Sequence, residues 1–422
     1  MNPRSIFKNI FYVVFFVLVL SAIVLYGRGY RPNITKQGLD PTGIIVASSA
    51  PDGAKIYING DLHGATNENI TLPPGNYHVK ITKDGFSAWE KDVNLKGEWA
   101  VKTNAVLYPL NPSLSPITSI GILKAVSSQT GEKTVFVSQT GDPLKDGIYQ
   151  LNNTKKTLSL GSQLKLLALK SSFSGNADLS SVSFDFSPDE QQVLITTYLP
   201  TSTPTPSKTN KLTKAPTPVI DHTYLLSLTE TKQTPFDVTN SVASIKTAWQ
   251  KETATAVDKL VRTLKTPIQT AASSSFEIAS ISPDGKKILY KATTDATIPL
   301  VIDPPLPGSN QTQESRSLHK NSVYIYDKEE DKNFELTSVP ITASIEELNH
   351  VIFWHPNSQN LIVNDGTNVS VVDYDNTNKR TVYSGPYELT YLAISDQGDL
   401  LILANLNPKI NQFPDIYSVG IR

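Results

Sequence analysis

Cysteine is absent from all 422 residues, which removes disulfides, thiolate zinc sites and a cysteine nucleophile from consideration. The redox compartment stays open, because a chain without thiols is indifferent to it, and an oxidising exterior is compatible. An excess of one charge sign is missing too: 38 Lys and Arg stand against 39 Asp and Glu. Nucleic acid is therefore set aside as a partner, since its phosphates ask for a basic excess. The six His, at 63, 78, 222, 319, 350 and 355, show no HxxxH or HExxH spacing, so no zinc site is pre-built on a helix face. Also lacking are the GxSxG elbow of serine hydrolases and the glycine-rich phosphate loops GxxxxGK[ST] and GxGxxG. No catalytic, cofactor-binding or metal-ligating residue is nominated by motif, and no cofactor is expected.

Charge is missing altogether from residues 10–26, "IFYVVFFVLVLSAIVLY", where only Ser21 and the tyrosines carry side-chain polarity. A run of this length sits at the low end of what crosses a bilayer core. Arg4 and Lys8 precede it and Arg28 and Arg31 follow it, so charge asymmetry says little about orientation. A cleaved signal peptide asks for small residues after its apolar stretch, and here Leu25, Tyr26 and Arg28 follow instead. A buried core helix is disfavoured because both ends of the run are basic and it has no polar face. The expectation is an uncleaved signal anchor over 9–27, with a short cytoplasmic tail (1–8), a linker (28–42) and the bulk of the chain outside the cell membrane.

Downstream of the apolar run the chain is rich in turn chemistry. Pro51-Asp52-Gly53 and Asn59-Gly60 bracket a strand in which Ile56 and Ile58 alternate with polar residues. Pro73-Pro74-Gly75 and Lys83-Asp84-Gly85 bracket another, with Tyr77, Val79 and Ile81 on one side. Gly75 is expected at positive φ in its turn. Residues 43–110 thus read as a small antiparallel β-sandwich. The stretch "APDGAKIYINGDLHGAT…LPPGNYHVKITKDGFSAW" resembles the PEGA domain, a module of bacterial and archaeal envelope proteins, with Pro51-Asp52-Gly53-Ala54 in place of Pro-Glu-Gly-Ala. That resemblance implies interaction or scaffolding and supplies no functional residues. Trp89 is a ligand-stacking platform or a plug of the sandwich, and in a domain so small the plug has more to recommend it.

Beyond a Pro-rich seam at 108–118, four segments share a strand, a polar turn and a second strand: 184–198 "FDFSPDEQQVLITTY", 279–293 "ASISPDGKKILYKAT", 352–365 "IFWHPNSQNLIVND" and 392–405 "LAISDQGDLLILAN". Their turns recur in a pattern that a unit of about 40 residues explains if the longer intervals hold insertions or an extra unit. "NSVYIYDKEEDKNFELT" and "TNVSVVDYDNTNKRTVYSG" supply the outer hairpins of such units. This grammar resembles the blades of TolB-type and WD-repeat propellers. The fold class expected is all-β with one N-terminal transmembrane helix: a PEGA-like sandwich, then a propeller of five to seven blades over 117–422.

Three insertions interrupt the repeat: a Thr/Pro/Lys-rich tract at 199–219, an amphipathic helix within 241–270 and a Pro-rich segment at 295–320. In the helix Trp249, Ala256, Val257, Leu260, Val261 and Leu264 share one face. Its expected role is packing on its own propeller, with docking of another protein as the sharper alternative. The third insertion is expected to cover one propeller face. Acidic turns at 327–333 and 373–378 offer alternating oxygens for calcium, but lack the Gly and distal Glu of an EF-hand, and such turns are ordinary between propeller strands. The function expected is a membrane-anchored, extracytoplasmic binding or scaffold protein of the cell envelope, held to the lipid bilayer and contacting an envelope protein or glycan through propeller loops. The alternative is an envelope glycoside or ester hydrolase with paired carboxylates in the propeller channel, where a raised carboxyl pKa would favour it.

Overall fold

A computed structural model describes residues 3–33, 38–154, 163–174, 177–199, 218–339 and 344–422. The chain divides into two compact units, one made of Met1–Leu110 with Ile302–Glu314 and Glu329–Lys332, the other of the remainder.

In the first unit, α1 (Pro3–Gly27) is a continuous helix whose segment Ile10–Gly27 has a mean hydropathy of 2.7 with none of it buried. At 1.5 Å per residue it is about 37 Å long, sufficient to cross a membrane. The expected linker is structured: β1 (Tyr30–Asn33) pairs with β2 (Gly38–Pro41) as a hairpin. Seven strands follow: β3 (Gly43–Ala50), β4 (Lys55–Ile58), β5 (Asp61–Ala65), β6 (Glu68–Leu72), β7 (Gly75–Thr82), β8 (Trp89–Leu95) and β9 (Ala100–Val106). They form two sheets, β6-β3-β9 and β5-β4-β7-β8, with β3 and β9 parallel. The two sheets bury Ile45, Ile56, Val79, Ile81, Trp89 and Val101 in one core. Trp89 is 3% exposed, so it plugs the sandwich.

The Pro51-Asp52-Gly53-Ala54 turn is tied down by Thr66, whose hydroxyl accepts from Ala54 N–H at 3.0 Å and lies 2.6 Å from Ser49 Oγ. Asn59 (φ 52°) and Gly60 (φ 95°) are both left-handed, as a two-residue hairpin turn requires. Gly75 is not among the left-handed glycines of this unit, which are Gly29, Gly53, Gly60, Gly85 and Gly308. It opens strand β7 instead, contrary to the sequence expectation. Ile302–Glu314 also belongs to this unit: Gln311 accepts from Asn94 N–H at 2.5 Å and donates to Asn94 O at 2.9 Å.

The second unit holds five four-stranded antiparallel sheets, each a propeller blade. The closing strand comes first in the chain, β10 (Ser113–Pro116). Blade 1 is β11 (Ile122–Ser127), β12 (Lys133–Ser138), β13 (Gly147–Asn152) and β14 (Leu164–Leu169). Blade 2 is β15 (Val182–Phe186), β16 (Gln192–Tyr198), β17 (Ile220–Ser227) and β18 (Phe236–Asp237). Helices α2 (Val242–Val261) and α3 (Thr266–Ser275) then lead into blade 3: β19 (Phe276–Ile281), β20 (Lys287–Ala292), β23 (Val323–Asp327) and β24 (Lys332–Glu335), interrupted by the hairpin β21 (Ala296–Thr297) and β22 (Ser317–Leu318). Helix α4 (Ile345–Val351), capped by Ser344 Oγ accepting from Glu347 N–H at 3.2 Å, precedes blade 4: β25 (Ile352–Trp354), β26 (Asn360–Asn364), β27 (Val369–Asp373) and β28 (Arg380–Tyr383). Blade 5 is β29 (Leu392–Ile394), β30 (Leu400–Ala404) and β31 (Asp415–Gly420), completed by β10 alongside β31.

The second unit begins at Asn111, ahead of the expected 117, because the Pro-rich seam contains β10, the fourth strand of blade 5. The long intervals between turns hold insertions, one of the two readings given above, and a further unit, blade 1, lies ahead of the first recognised turn. The stacked blades share apolar clusters: blades 1 and 2 through Val135, Ile148, Val193 and Tyr224, blades 3 and 4 through Leu289, Ile325, Leu361 and Val372, and blades 5 and 1 through Phe136, Tyr391 and Leu401.

Because each blade is a meander, first-to-second and third-to-fourth connections emerge at one end of the ring, and second-to-third and blade-to-blade connections at the other. The helices α2, α3 and α4 and the 295–320 insertion all leave from the second end. So do Leu199 and Val219, joined by a backbone hydrogen bond of 2.9 Å; the Thr/Pro/Lys-rich tract between them, 200–217, lies outside the described residues. The middle of the 295–320 insertion, Ile302–Glu314, counts with the first unit.

Candidate functional site

The short-turn end of the ring is built five times from one backbone device. In the turns Ser128–Gly131, Ser187–Glu190, Ser282–Gly285, His355–Ser358 and Ser395–Gly398, the fourth residue donates its N–H to the first residue's carbonyl at 2.7 to 3.0 Å. That fourth residue is left-handed each time: Gly131 (φ 77°), Glu190 (φ 54°), Gly285 (φ 72°), Ser358 (φ 59°) and Gly398 (φ 89°). Serine opens four of the five because its hydroxyl caps the turn; Ser187 Oγ donates to Asp189 at 2.6 Å and accepts from Gln192 N–H at 2.9 Å. The first of these bonds and the N–H of Gln191 hold the Asp189 carboxyl below its ordinary range.

Neighbouring turns lock together. The Glu190 carboxylate of blade 2 accepts from Thr130 N–H at 2.8 Å and Thr130 Oγ1 at 2.6 Å in blade 1. Ser358 Oγ of blade 4 accepts from Asp284 N–H of blade 3 at 3.0 Å. His355 stands where the other turns have serine, buried against Gly398 of blade 5, and desolvation lowers its pKa to about 4. Its ring is neutral at physiological pH and its Nδ1 accepts from Asn357 N–H at 3.2 Å.

At this same end a cleft of about 450 Å³ opens between blades 1 and 2, lined by Glu132, Lys133, Gln150, Asn152, Lys165 and Gln191 among others. Register places Lys133 opposite Asn152 and Gln150 opposite Lys165, so these four share one face across three strands. Gln150 is 2% exposed, donates to Asn152 Oδ1 at 2.6 Å and has no hydrogen-bond partner for its Oε1. Lys133 Nζ donates to Glu190 O at 2.5 Å, and Lys165 Nζ to Leu228 O and Thr229 O at 3.3 and 3.2 Å. Sequence reasoning did not nominate this cleft. Its one signal was an amide in the strand "GIYQLN", on the face where Ile148 points into the core between blades.

The regions singled out from sequence fare differently. Helix α2 has no fully buried residue, and Trp249 and Val257 are half-buried, whereas Leu264 (5% exposed) and Ile268 (0%) of the following turn and α3 enter the core of blade 3. The helix therefore packs on its propeller chiefly through its C-terminal end, with Lys246 ion-paired to Asp185 of blade 2 at 2.9 Å. In the acidic turns the oxygens are engaged by protein donors: Asp331 accepts from Ile302 N–H at 2.9 Å and Glu330 from Asn310 N–H at 2.7 Å, while Asp373 accepts from Asn360 and Asn378 at 2.7 and 2.9 Å. Among the described residues no three carboxylate or imidazole groups gather as metal ligands do. Six carboxylates, Asp178, Asp189, Asp237, Asp284, Asp365 and Glu346, are held below the ordinary value, the opposite of what a general acid needs.

Residues 42–111 match the family model of the PEGA domain. A search of curated protein sequences finds no match. Among solved structures the chain is similar to a protein assigned as TolB from Agrobacterium tumefaciens, at 14% identity over 70% of each chain and a TM-score of 0.20. It is similar to an auxiliary nutrient binding protein from Bacteroides ovatus, at 10% identity over 91% of this chain and 98% of that one, TM-score 0.26. It is also similar to the β-propeller domain of the Trilobed protease from Pyrococcus furiosus, at 8% identity over 92% of this chain and 88% of that one, TM-score 0.18. At such TM-scores none of these likenesses bears on function, and the propeller is defined by its own five sheets. Residues 42–111 are thus a PEGA domain, set in sequence between an apolar helix long enough to cross a membrane and a five-bladed β-propeller.

Proposed function

We propose that this chain is a membrane-anchored, extracytoplasmic binding protein of the cell envelope, engaging an envelope protein or glycan through its propeller. The observation that supports this most is the combination, in one chain, of an unburied apolar helix, a PEGA domain and a propeller with a polar cleft whose buried amide oxygen is unpaired. In this reading the helix is a signal anchor with its N-terminus in the cytoplasm, and the rest of the chain lies outside. Hydrolase chemistry is the second reading, and carboxylates such as Asp178, Asp189 and Asp237 move in the wrong direction for acid catalysis.

Two measurements test the proposal. Protease added to intact spheroplasts is expected to degrade the protein to a short anchor fragment, and full protection would refute the orientation. Crosslinking in membranes of the native host is expected to capture an envelope protein or glycan. Turnover of a glycoside or ester substrate, abolished by a single Asp or Glu exchange in the propeller, would replace the binding reading with the hydrolase.

A further inference from the structure

We infer that the cleft between blades 1 and 2 is a binding site for an acidic saccharide, a carboxylated sugar of the uronic acid kind. This rests on the binding reading above and deepens it by naming the site and the ligand chemistry. Three features converge on it.

First, the cleft has spare hydrogen-bonding capacity in the form sugars use. The Gln150 amide is spent on one side only, donating to Asn152, while its Oε1 lies buried without a donor. An unsatisfied buried acceptor costs stability until a water or a ligand hydroxyl reaches it. Asn152 and Gln191 add two further amides to the lining, and an amide offers both a donor and an acceptor to vicinal hydroxyls.

Second, the lining of the cleft carries more positive than negative charge. Lys133 and Lys165 are half-buried, and both contact backbone carbonyls. Among the described residues, neither forms an ion pair with a carboxylate. The carbonyls orient each ammonium without cancelling its charge, which leaves donors and charge for an incoming anion. Glu132 lines the same cleft and Lys133 also acts on the Asp189 carboxylate of the adjoining turn, so the lining alone keeps one net positive charge, suited to a monoanionic sugar more than to a polyphosphate.

Third, the spacing fits a sugar. Lys133 is on β12 and Lys165 on β14, with the amides on β13 between them. Adjacent strands lie roughly 4.8 Å apart and residues rise about 3.4 Å along a strand, so the two lysine backbones, two residues out of step along β13, lie about 12 Å apart. A pyranose ring fits between them with its hydroxyls over Gln150 and Asn152 and its carboxylate toward one lysine. The site lies at the short-turn end, where Thr130 and Glu190 lock blades 1 and 2 together, so its walls are fixed before binding.

The test uses the full-length protein in detergent micelles, titrated calorimetrically with a hyaluronan tetrasaccharide and, as a neutral counterpart, chitotetraose. The acidic probe is expected to bind at least about tenfold more tightly than the neutral one, and to weaken as salt is raised. Lys133→Met and Gln150→Leu are each expected to weaken binding about tenfold, the scale of one lost charged or buried hydrogen bond, with the melting temperature held. Gln150→Leu is chosen because an apolar side chain suits the buried position beside Ile148. Lys165→Met is the secondary variant, since its ammonium also holds the end of β17. Equal binding of chitotetraose would overturn the acidic class. Tight binding of the acidic probe that survives Lys133→Met and Gln150→Leu together would overturn the cleft while leaving the wider binding reading in place. Absence of binding to either saccharide would overturn the inference outright, and the crosslinking experiment would then decide the wider reading by itself.

Discussion

At the scale of single residues, backbone conformation separates glycines that look alike in sequence. Gly53 sits at φ 71° with open space around its missing Cβ, the nearest atom being Lys83 Nζ at 4.0 Å, whereas Gly75 is not left-handed and a Cβ there would meet the Tyr77 ring at an ordinary 3.6 Å. Gly53→Ala is expected to destabilise the PEGA domain by about 1 kcal/mol and Gly75→Ala to be near neutral; denaturant melts of the two variants rank them, and a larger loss at Gly75 would contradict the conformation described. His355 gives a pH-dependent counterpart in the propeller. Its folded pKa is about 4 against an ordinary 6.5, so above pH 6.5 neither state carries the proton and stability is independent of it. As pH falls from 6.5 toward 4 the unfolded chain takes up the proton alone and the fold loses stability, on the order of 3 kcal/mol once pH is below 4. Between pH 7 and 4.5, His355→Gln is expected to lose about 2 kcal/mol less than the parent chain, and identical pH slopes in the two would show that the ring is not held neutral.

At the scale of elements, α2 and α3 show how an amphipathic pattern overstates packing. The stripe from Trp249 to Leu264 predicts burial along the helix, yet only its end enters a core, at Leu264 and then Ile268. Trp249→Ala is therefore expected to cost under about 1 kcal/mol, and Ile268→Ala about 2–4 kcal/mol; thermal melts measure both, and a large loss at Trp249 would mean the helix packs more deeply than its exposure indicates. The same element scale explains what was legible beforehand. The apolar helix, the PEGA turns and the first hairpins of four blades could be read because each is local: an uncharged run, Pro-Asp-Gly, Asn-Gly, Ser-Pro-Asp-Gly. Blade 1 was missed because its turn, Ser128-Gln-Thr-Gly131-Glu, has neither the proline nor the aspartate of which each equivalent carries at least one, although Gly131 and Ser128 do the same conformational work. The cleft was illegible for a different reason. Lys133, Gln150 and Lys165 come from three strands, and only the register of blade 1 puts them on one face.

At the scale of the whole propeller, closure depends on a segment that looked like a linker. β10 gives blade 5 its fourth strand, pairing Ser113–Pro116 with Tyr417–Gly420, and the residues just after it bind β31 as well: Ile117 N–H donates to Ile416 O at 2.8 Å, and Thr118 Oγ1 and Ile120 N–H donate to Asp415 at 2.9 and 3.0 Å. All four side chains of β10 are exposed, so its contribution is ladder hydrogen bonds and the covering of an edge more than apolar burial. Two truncations isolate that contribution, one beginning at Asn111 and one at Ile117, differing only by the six residues that contain β10. The longer is expected to fold as a monomer. The shorter is expected to be less stable by about 1–3 kcal/mol, from a few lost net hydrogen bonds, and to self-associate because β31 becomes a bare edge available to another chain. Sedimentation and denaturant melts of the pair read both effects. Equal stability with no association in the shorter chain would mean that blade 5 is complete with three strands, and that the ring is closed by blade packing through Tyr391 and Phe136 and not by pairing between the propeller's first and last strands.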